Sequence, residues 1–284
     1  MNHLLLNTIA LEPNRWKRPS RPTRSILGLL QPIAEAGFRF LEVWQYHLSL
    51  EGKEAIGTIR EACRGLDLAI RIVGLYPKLH LAGAEREREL DQAGMMLDYA
   101  ALLGASGVKI FVGSQGAQAL SGDEYTRSVD MMRMLALRAR EKGLVVTGET
   151  HEKTLFDSVE SCQRFLRDTG ADNFKVCFQP YNSRDTHQAI RDFENLVDHV
   201  VHLHLQGRKN GKYDFLENSD IDYGKLMQAL AVHRFNGDIS IEFVKDCVVQ
   251  DPSDFDLDLV LRNAQRDRTF VLTQAAACGM PILG

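Results

Sequence analysis

The sequence predicts an α/β fold, a single-domain (β/α)8 barrel spanning residues 1–284. Two observations carry this prediction. A short apolar run followed by an amphipathic helical stretch recurs eight times along the chain, a rhythm foreign to all-α and all-β folds. The rival α/β architecture, an open doubly wound sheet, usually needs fewer strands, and no G-x-G-x-x-G follows the first run to invite a dinucleotide.

The first strand is expected at residues 4–9, with a helix at about 25–36 closed by Gly37. A second strand at 38–44 is followed by a helix at about 51–63, with Gly65 as its stop signal. Residues 68–75 form the third strand, and the long periodic stretch 82–103 is helical and ends at Gly104. Strand four, 108–112, leads through a polar Gly-containing loop to a helix at 122–142 ending at Gly143. The second half repeats the pattern, with strands at 144–147, 174–178, 200–205 and 239–243 and helices at about 153–167, 184–198, 223–233 and 257–275. The stretch 206–220 is longer and more polar than an ordinary βα-loop, the property of a binding loop or lid extending strand seven.

With 284 residues and 44% hydrophobic content, the chain has material for one large core. A formal charge of −4 and an isoelectric point near 6.1 argue against a general polyanion binder, so no nucleic-acid partner is expected. No apolar stretch reaches membrane-spanning length, and the start MNHLLLNTIALEPNRWKRP lacks the basic-then-apolar order of a signal peptide. A cytoplasmic protein without a membrane partner is the expectation. Five scattered cysteines without CxxC spacing suggest neither a disulfide framework nor a thiolate zinc knuckle.

In such a barrel all strand-to-helix loops open on one face, so polar residues at the ends of different strands become neighbours. Glu149 follows LVVTG, Gln179 follows KVCF, His204 lies in VHLHL and Glu242 in ISIEF. Each is costly to bury in an apolar run without partners. Two carboxylates, an imidazole and an amide converging on one mouth make a divalent-metal site. Oxygen and imidazole donors without thiolate suit Mn2+, Mg2+, Co2+ or Zn2+ alike. A carboxylate there can hold metal through one oxygen and exchange a substrate proton through the other.

From LLLNTIAL through FRFLEVW, LVVTGETH, FKVCFQPYN and VHLHLQGR to GDISIEF, the chain resembles the xylose isomerase-like TIM barrels. The resemblance is specifically to the sugar (phosphate) isomerase/epimerase family, which includes ketose 3-epimerases, hydroxypyruvate isomerase and inosose dehydratase. It implies metal ligands at Glu149, His204 and Glu242, with Gln179 where the family has Asp. It also implies Glu149 and Glu242 as the catalytic groups that exchange protons on opposite faces of the carbon beside a carbonyl. The chain departs from the family pattern in two more places: Asn182 stands where a His usually follows the strand-six ligand, and Gly207 where an Asp usually follows the strand-seven His. Losing the Asp removes a negative charge from the shell, which lowers cation affinity and leaves the ion a stronger electrophile.

Substrate-binding candidates surround this core. Glu42 and Trp44 share a strand face; by resemblance they look into the cavity, with Trp44 a stacking platform or, alternatively, plain barrel core. His47 is placed to bond a hydroxyl or to do nothing, and Asn182 stands at the mouth. His151 resembles the His of the E-N-H pattern of several family members, as a substrate contact or a donor behind the metal ligands. Arg208 either anchors a carboxylate, phosphate or hydroxyl or makes an ordinary loop salt bridge. Buried Arg71 needs an anion, with Glu42 the expected partner, and Lys109 poses the same problem with no partner in view. His202 is assigned to the barrel interior below the metal.

The leading functional expectation is metal-dependent isomerisation or epimerisation of a small sugar or sugar-derived keto/hydroxy compound through an enediolate. The alternative is a lyase on the same intermediate, a dehydratase or a 3-oxo sugar acid decarboxylase with Arg208 holding the carboxylate. The endonuclease branch of this fold expects more histidines and a basic face, neither of which is visible. The family further implies a homo-oligomer.

Overall fold

The computed structural model describes residues 1–17 and 21–284. The apolar runs form β1 (Asn2–Asn7), β2 (Phe40–Trp44), β3 (Ala69–Leu75), β4 (Gly107–Ile110), β5 (Val145–Glu149), β6 (Phe174–Phe178) and β7 (Val200–Gln206). After a small antiparallel hairpin, β8 (Arg208–Lys209) and β9 (Lys212–Tyr213), comes β10 (Asp238–Phe243), and a short β11 (Ile282–Leu283) ends the chain. Strands β1 to β7 and β10 pair in parallel in chain order, and β10 pairs back with β1, closing an eight-stranded barrel. Parallel neighbours require crossovers, and these are the helices. They are α1 (Ile26–Glu35), α2 (Gln45–Ser49), α3 (Ile56–Gly65), α4 (Gly83–Leu103), α5 (Gly122–Glu141), α6 (Val159–Thr169), α7 (Thr186–Leu196), α8 (Tyr223–Val232) and α9 (Leu257–Ala277). This is the single-domain (β/α)8 TIM barrel expected from the pattern. Among the described residues no helix is long and apolar enough to cross a membrane.

Local chemistry sets the element ends. Ser121 and Glu124 form a reciprocal capping box at the start of α5, as do Asp185 and Gln188 at α7, and each such cap is worth about 1 kcal/mol. Gly104 and Gly170 close α4 and α6 in the left-handed conformation. Three expected boundaries move. The first strand stops at Asn7, because the Asn7 side chain accepts from Ile9 N and turns the next four residues into a 3-10 helix. The helix expected from 51 begins at Ile56, after α2 and a short 3-10 turn, because Gly52 at φ +74° reverses the chain. The helix expected from 153 begins at Val159, capped by Ser158, while Lys153 at φ +62° and the Thr154 hydroxyl, which donates to His151 O at 2.7 Å, hold the preceding residues as a loop.

Irregularities in strand pairing fall where the barrel needs side chains re-aimed. Register slips by one residue at Arg71 between β2 and β3, at Val201 between β6 and β7, and at Glu242 between β7 and β10. The slip at Arg71 overturns its expected pairing. Its guanidinium turns toward the base of the barrel and donates from Nε to Asp238 Oδ1 at 2.8 Å, beside His3, instead of meeting Glu42.

Candidate metal centre and pocket

Barrel geometry gathers the strand-end residues on one floor. Glu149 ends β5, Gln179 directly follows β6, His204 lies in β7, and Glu242 occupies the slip in β10. All four are almost completely buried, at 2%, 2%, 0% and 4% exposure, yet Glu149, Gln179 and Glu242 line a cavity of about 910 Å³. One ligand atom each from Glu149, His204 and Glu242 falls within 4.8 Å of the others. His204 Nδ1 lies 3.3 Å from Glu242 Oε1 and 3.8 Å from Glu149 Oε1. Among the described residues Gln179 Oε1, His204 Nδ1 and Glu242 Oε2 have no hydrogen-bond partner. Buried polar atoms left unpaired cost about 1–3 kcal/mol each, which makes the Glu149–His204–Glu242 cluster a candidate cation site, with Gln179 lining the same cavity. The donor set, two carboxylates, an imidazole and an amide oxygen, fits a hard or borderline divalent ion.

Behind the floor a second row fixes the ligands. His204 Nε2 donates to Glu42 Oε2 at 2.9 Å, which leaves Nδ1 turned toward the carboxylates. The same Glu42 oxygen lies 3.3 Å from His202 Nε2, which also shares a 2.8 Å hydrogen bond with Ser240 Oγ. Burial pushes the Glu42 carboxyl up, but the two imidazoles outweigh it and hold the group well below the usual carboxylate range. Burial opposes charge on His202 and His204, whereas nearby Cys177 and Glu42 raise both, His202 to about 9. Cys177, His202 and His204 form another potential ligand group, but none of the three lines the cavity, whereas Glu149 and Glu242 of the Glu149–His204–Glu242 group do.

The sequence left Lys109 without a partner, and the structure supplies one. Its ammonium, 1% exposed, lies 2.7 Å from Glu149 Oε2 and donates to the Tyr76 hydroxyl at 3.3 Å. Burial favours the neutral forms of both partners, but the pairing prevails: Glu149 is lowered and Lys109 raised well above its ordinary value. One oxygen of Glu149 is therefore occupied by a fixed cation and the other faces His204.

The remaining candidates divide. Trp44, His151, Asn182 and Arg208 line the cavity with the metal-facing group. Arg208 donates to Asn182 Oδ1 at 2.8 Å and to the Tyr213 hydroxyl at 3.2 Å, and its buried Nε has no hydrogen-bond partner among the described residues. Asn182 Nδ2 in turn donates to Glu152 Oε2 at 2.9 Å. Glu42 lies beneath His204 and does not line the cavity. His47 is also outside it: fully buried in α2, it shares a 3.0 Å hydrogen bond with Thr8 Oγ1 and faces Glu12 at 3.6 Å. Gly207 has a steric reason to lack a side chain, because a Cβ there would lie 2.2 Å from the Asp214 carbonyl oxygen where the β8–β9 extension folds back. Tyr76 and Phe111, which directly follow β3 and β4, and Tyr213 line the cavity without having been singled out; the first two occupy the strand-end position that identified Gln179.

Comparison with known proteins agrees with this architecture. The sequence profile described as xylose isomerase-like TIM barrel matches residues 30–263. A 3-dehydroshikimate dehydratase of Bacillus anthracis is 23% identical over 193 residues, 66% of this chain and 69% of that protein. The solved D-psicose 3-epimerase with D-tagatose from Clostridium cellulolyticum H10 superposes with a TM-score of 0.75 at 19% identity, covering 96% of this chain and 99% of that one. The probable 3-DHS dehydratase from Bacillus anthracis gives 0.72 at 18% identity, covering 95% and 99%. At these identities the structural likeness is one of fold. The chain belongs to the xylose isomerase-like TIM barrel family.

Proposed function

We propose that this chain is a divalent-metal-dependent isomerase or epimerase that moves a proton beside the carbonyl of a small sugar or sugar-derived keto/hydroxy compound. The observation that carries the reading is the convergence of Glu149, His204 and Glu242 with the unpaired Gln179 oxygen on the floor of the pocket. These four residues would hold the ion, which when bound polarises a carbonyl and its neighbouring hydroxyl and so acidifies the C–H between them.

The two carboxylates are not equivalent. Glu242 Oε2 is unpartnered and takes the proton, giving an enediolate. Returning it to the adjacent carbon from the same carboxylate isomerises the substrate. Epimerisation requires Glu149 on the opposite face; Lys109 holds its Oε2, so its Oε1 would exchange the proton. Within this reading the ammonium lowers the basicity of Glu149 and makes Glu242 the readier base. Arg208, braced by Asn182 and Tyr213, offers its spare Nε to a substrate carboxylate or hydroxyl, and His151 lines the same space.

A second reading, a lyase, draws on the same pocket. Dehydration needs one base to remove the proton and an acid to protonate the departing hydroxyl; Glu242 would be the base, and His151 and Tyr76, which line the same cavity, are the candidate acids. The relative in Bacillus anthracis is named a dehydratase. Incubating the Mn2+-loaded protein with aldoses, ketoses and 3-oxo sugar acids in D2O, followed by NMR and mass analysis, tests both readings. Isomerisation yields a product of unchanged composition apart from deuterium, whereas a lyase loses water or CO2. Absence of C–H exchange with every substrate, together with no Mn2+ binding, refutes the proposal.

A further inference from the structure

The ionic cluster accounts for one side of the pocket and leaves the other unexplained. The cavity volume, about 910 Å³, is near the top of the range of about 300–1,000 Å³ that holds drug-sized ligands, and a free monosaccharide fills only a fraction of it. The metal-facing residues come from β5, β6, β7 and β10, while the opposite wall is built from the ends of β2, β3 and β4 and from α4. Along that wall the aromatic rings form a continuous chain. Trp44 meets Tyr46 edge-on at 4.7 Å, Tyr46 stacks on Tyr76 at 6.4 Å, Tyr76 lies 5.8 Å from Phe111, and Phe111 meets His151 at 4.9 Å.

Tyr46, Tyr76 and Phe111 are large rings that are only partly buried and line the cavity, although the Lys109 ammonium lies 4.7 Å from the centre of the Tyr76 ring. Beyond them the pocket reaches α4, a helix of 21 residues against 10 in α1 and α3, where Met95 and Met96 line it beside Gln92. Apolar ring faces and thioethers flanked by amides match a ring that has a flat face and a polar edge. Tyr76 adjoins the ionic floor through the Lys109 ammonium, whereas among the described residues Tyr46, Gln92 and Met95 make no hydrogen bond or ion pair with it, so a reacting sugar bound over the carboxylates leaves that outer end of the wall uncovered.

We propose that the pocket holds a second subsite, over Tyr46, Tyr76 and Phe111 and against α4, for a further ring attached to the reacting sugar. The substrate is then a sugar with a free carbonyl that carries the second ring on a hydroxyl away from it. The inference rests on the proton-transfer reading only for the placement of the inner ring. A second sugar and an aryl group share the required chemistry, a flat face for stacking on the aromatic wall.

Both tryptophans of the chain, Trp16 and Trp44, line the cavity, so intrinsic fluorescence reports its occupancy. Glucose, cellobiose and 4-O-benzyl-D-glucose, all with a free anomeric carbon, are titrated into the full chain with Mn2+ present. At least one two-ring ligand binds ten or more times tighter than glucose; cellobiose in the lead identifies a second sugar, and the benzyl ether identifies an aryl group. Equal binding of all three, or binding of none, overturns the proposal. Phe111→Ala removes part of the wall, and Met95→Trp, at a position 41% exposed and tolerant of change, fills the subsite without touching the core. Each brings the two-ring ligands to within about twofold of glucose, and a preference that survives both variants also overturns the subsite. Calorimetric titration of Mn2+ separates the two readings: no metal binding with the two-ring preference intact removes the metal chemistry and leaves the subsite, and the converse removes the subsite alone.

Discussion

Lys109→Met tests the charge arrangement at the floor of the barrel. The ammonium and the Glu149 carboxylate lie 2.7 Å apart at 1% and 3% exposure, so neither charge is solvated by bulk water. Deleting one member of such a pair costs about 3–5 kcal/mol, chiefly because the other is left buried and uncompensated. Methionine replaces most of the lysine stem, so packing loss adds little. At about 2–4 °C per kcal/mol for a chain approaching this size, the variant should melt about 6–20 °C below the parent in EDTA. A divalent ion restores the missing counter-charge. The variant should bind Mn2+ at least tenfold tighter because Glu149 is no longer shared. Because the ion also stabilises the parent by mass action, the gap in melting temperature should narrow in saturating Mn2+ by this difference alone, about 1.4 kcal/mol or about 3–6 °C for tenfold. Thermal unfolding followed by circular dichroism, with and without Mn2+, and calorimetric titration read both effects. Equal melting temperatures in EDTA, or an unchanged Mn2+ affinity, would refute the reasoning.

Placing a carboxylate at the cavity with Gln179→Asp adds a negative charge where a buried amide oxygen has no hydrogen-bond partner, and should tighten Mn2+ binding by about one to two orders of magnitude in calorimetry; weaker binding would show that position 179 does not face the ion. Gly207→Ala drives a Cβ to 2.2 Å from the Asp214 carbonyl oxygen, and the forced backbone shift should lower the urea midpoint by an amount worth about 1–3 kcal/mol, which an unchanged midpoint contradicts. Asp267 accepts a hydrogen bond from Leu216 N, and burial, with Glu217 and Asp214 adding to it, pushes its carboxyl up from 3.8 to about 7. A pKa raised on folding means that the native state holds the extra proton. The stabilisation is thus complete below about pH 4 and is lost as pH rises toward about 7. Asp267→Asn should flatten that part of the stability profile between pH 4 and 8, and an identical profile in the variant would count against this account.

The barrel was readable because its evidence is distributed: eight apolar runs alternate with helical periods, and a boundary error at one leaves the rest intact. The errors have local causes. Gly52 and Lys153 at positive φ, and side-chain caps at Asn7 and Ser158, decide helix and strand ends through single hydrogen bonds that periodicity does not register. The stretch 206–220 was expected to be unusual, but its hairpin had a signal of its own: Asn210-Gly211, both at positive φ, make the two-residue turn between β8 and β9. That hairpin explains Gly207, whose missing side chain reads in sequence only as a departure from a pattern.

The site was legible only where residue type and strand end coincide. Glu149, Gln179, His204 and Glu242 meet that condition; the structure clusters Glu149, His204 and Glu242 and places Gln179 in the same cavity wall, whereas Arg71 and Lys109 lie inside strands and their partners depend on register. One slipped residue sends Arg71 to Asp238 at the base, while Lys109, on a regular stretch of β4, reaches the end of the neighbouring β5. The consequence is electrostatic. An amide at 179 and an ammonium beside Glu149 both subtract negative charge from the same few cubic ångströms, and Glu42 is already held by two imidazoles. A cation held here would therefore bind more weakly than in a shell with an aspartate at 179 and no lysine, and would draw more electron density from whatever carbonyl it meets. In a metal-loaded site Gln179 and Lys109 would thus push in one direction, toward lower affinity and greater polarising power, and Glu242, whose Oε2 has no hydrogen-bond partner among the described residues, would be the carboxylate readiest to take a proton.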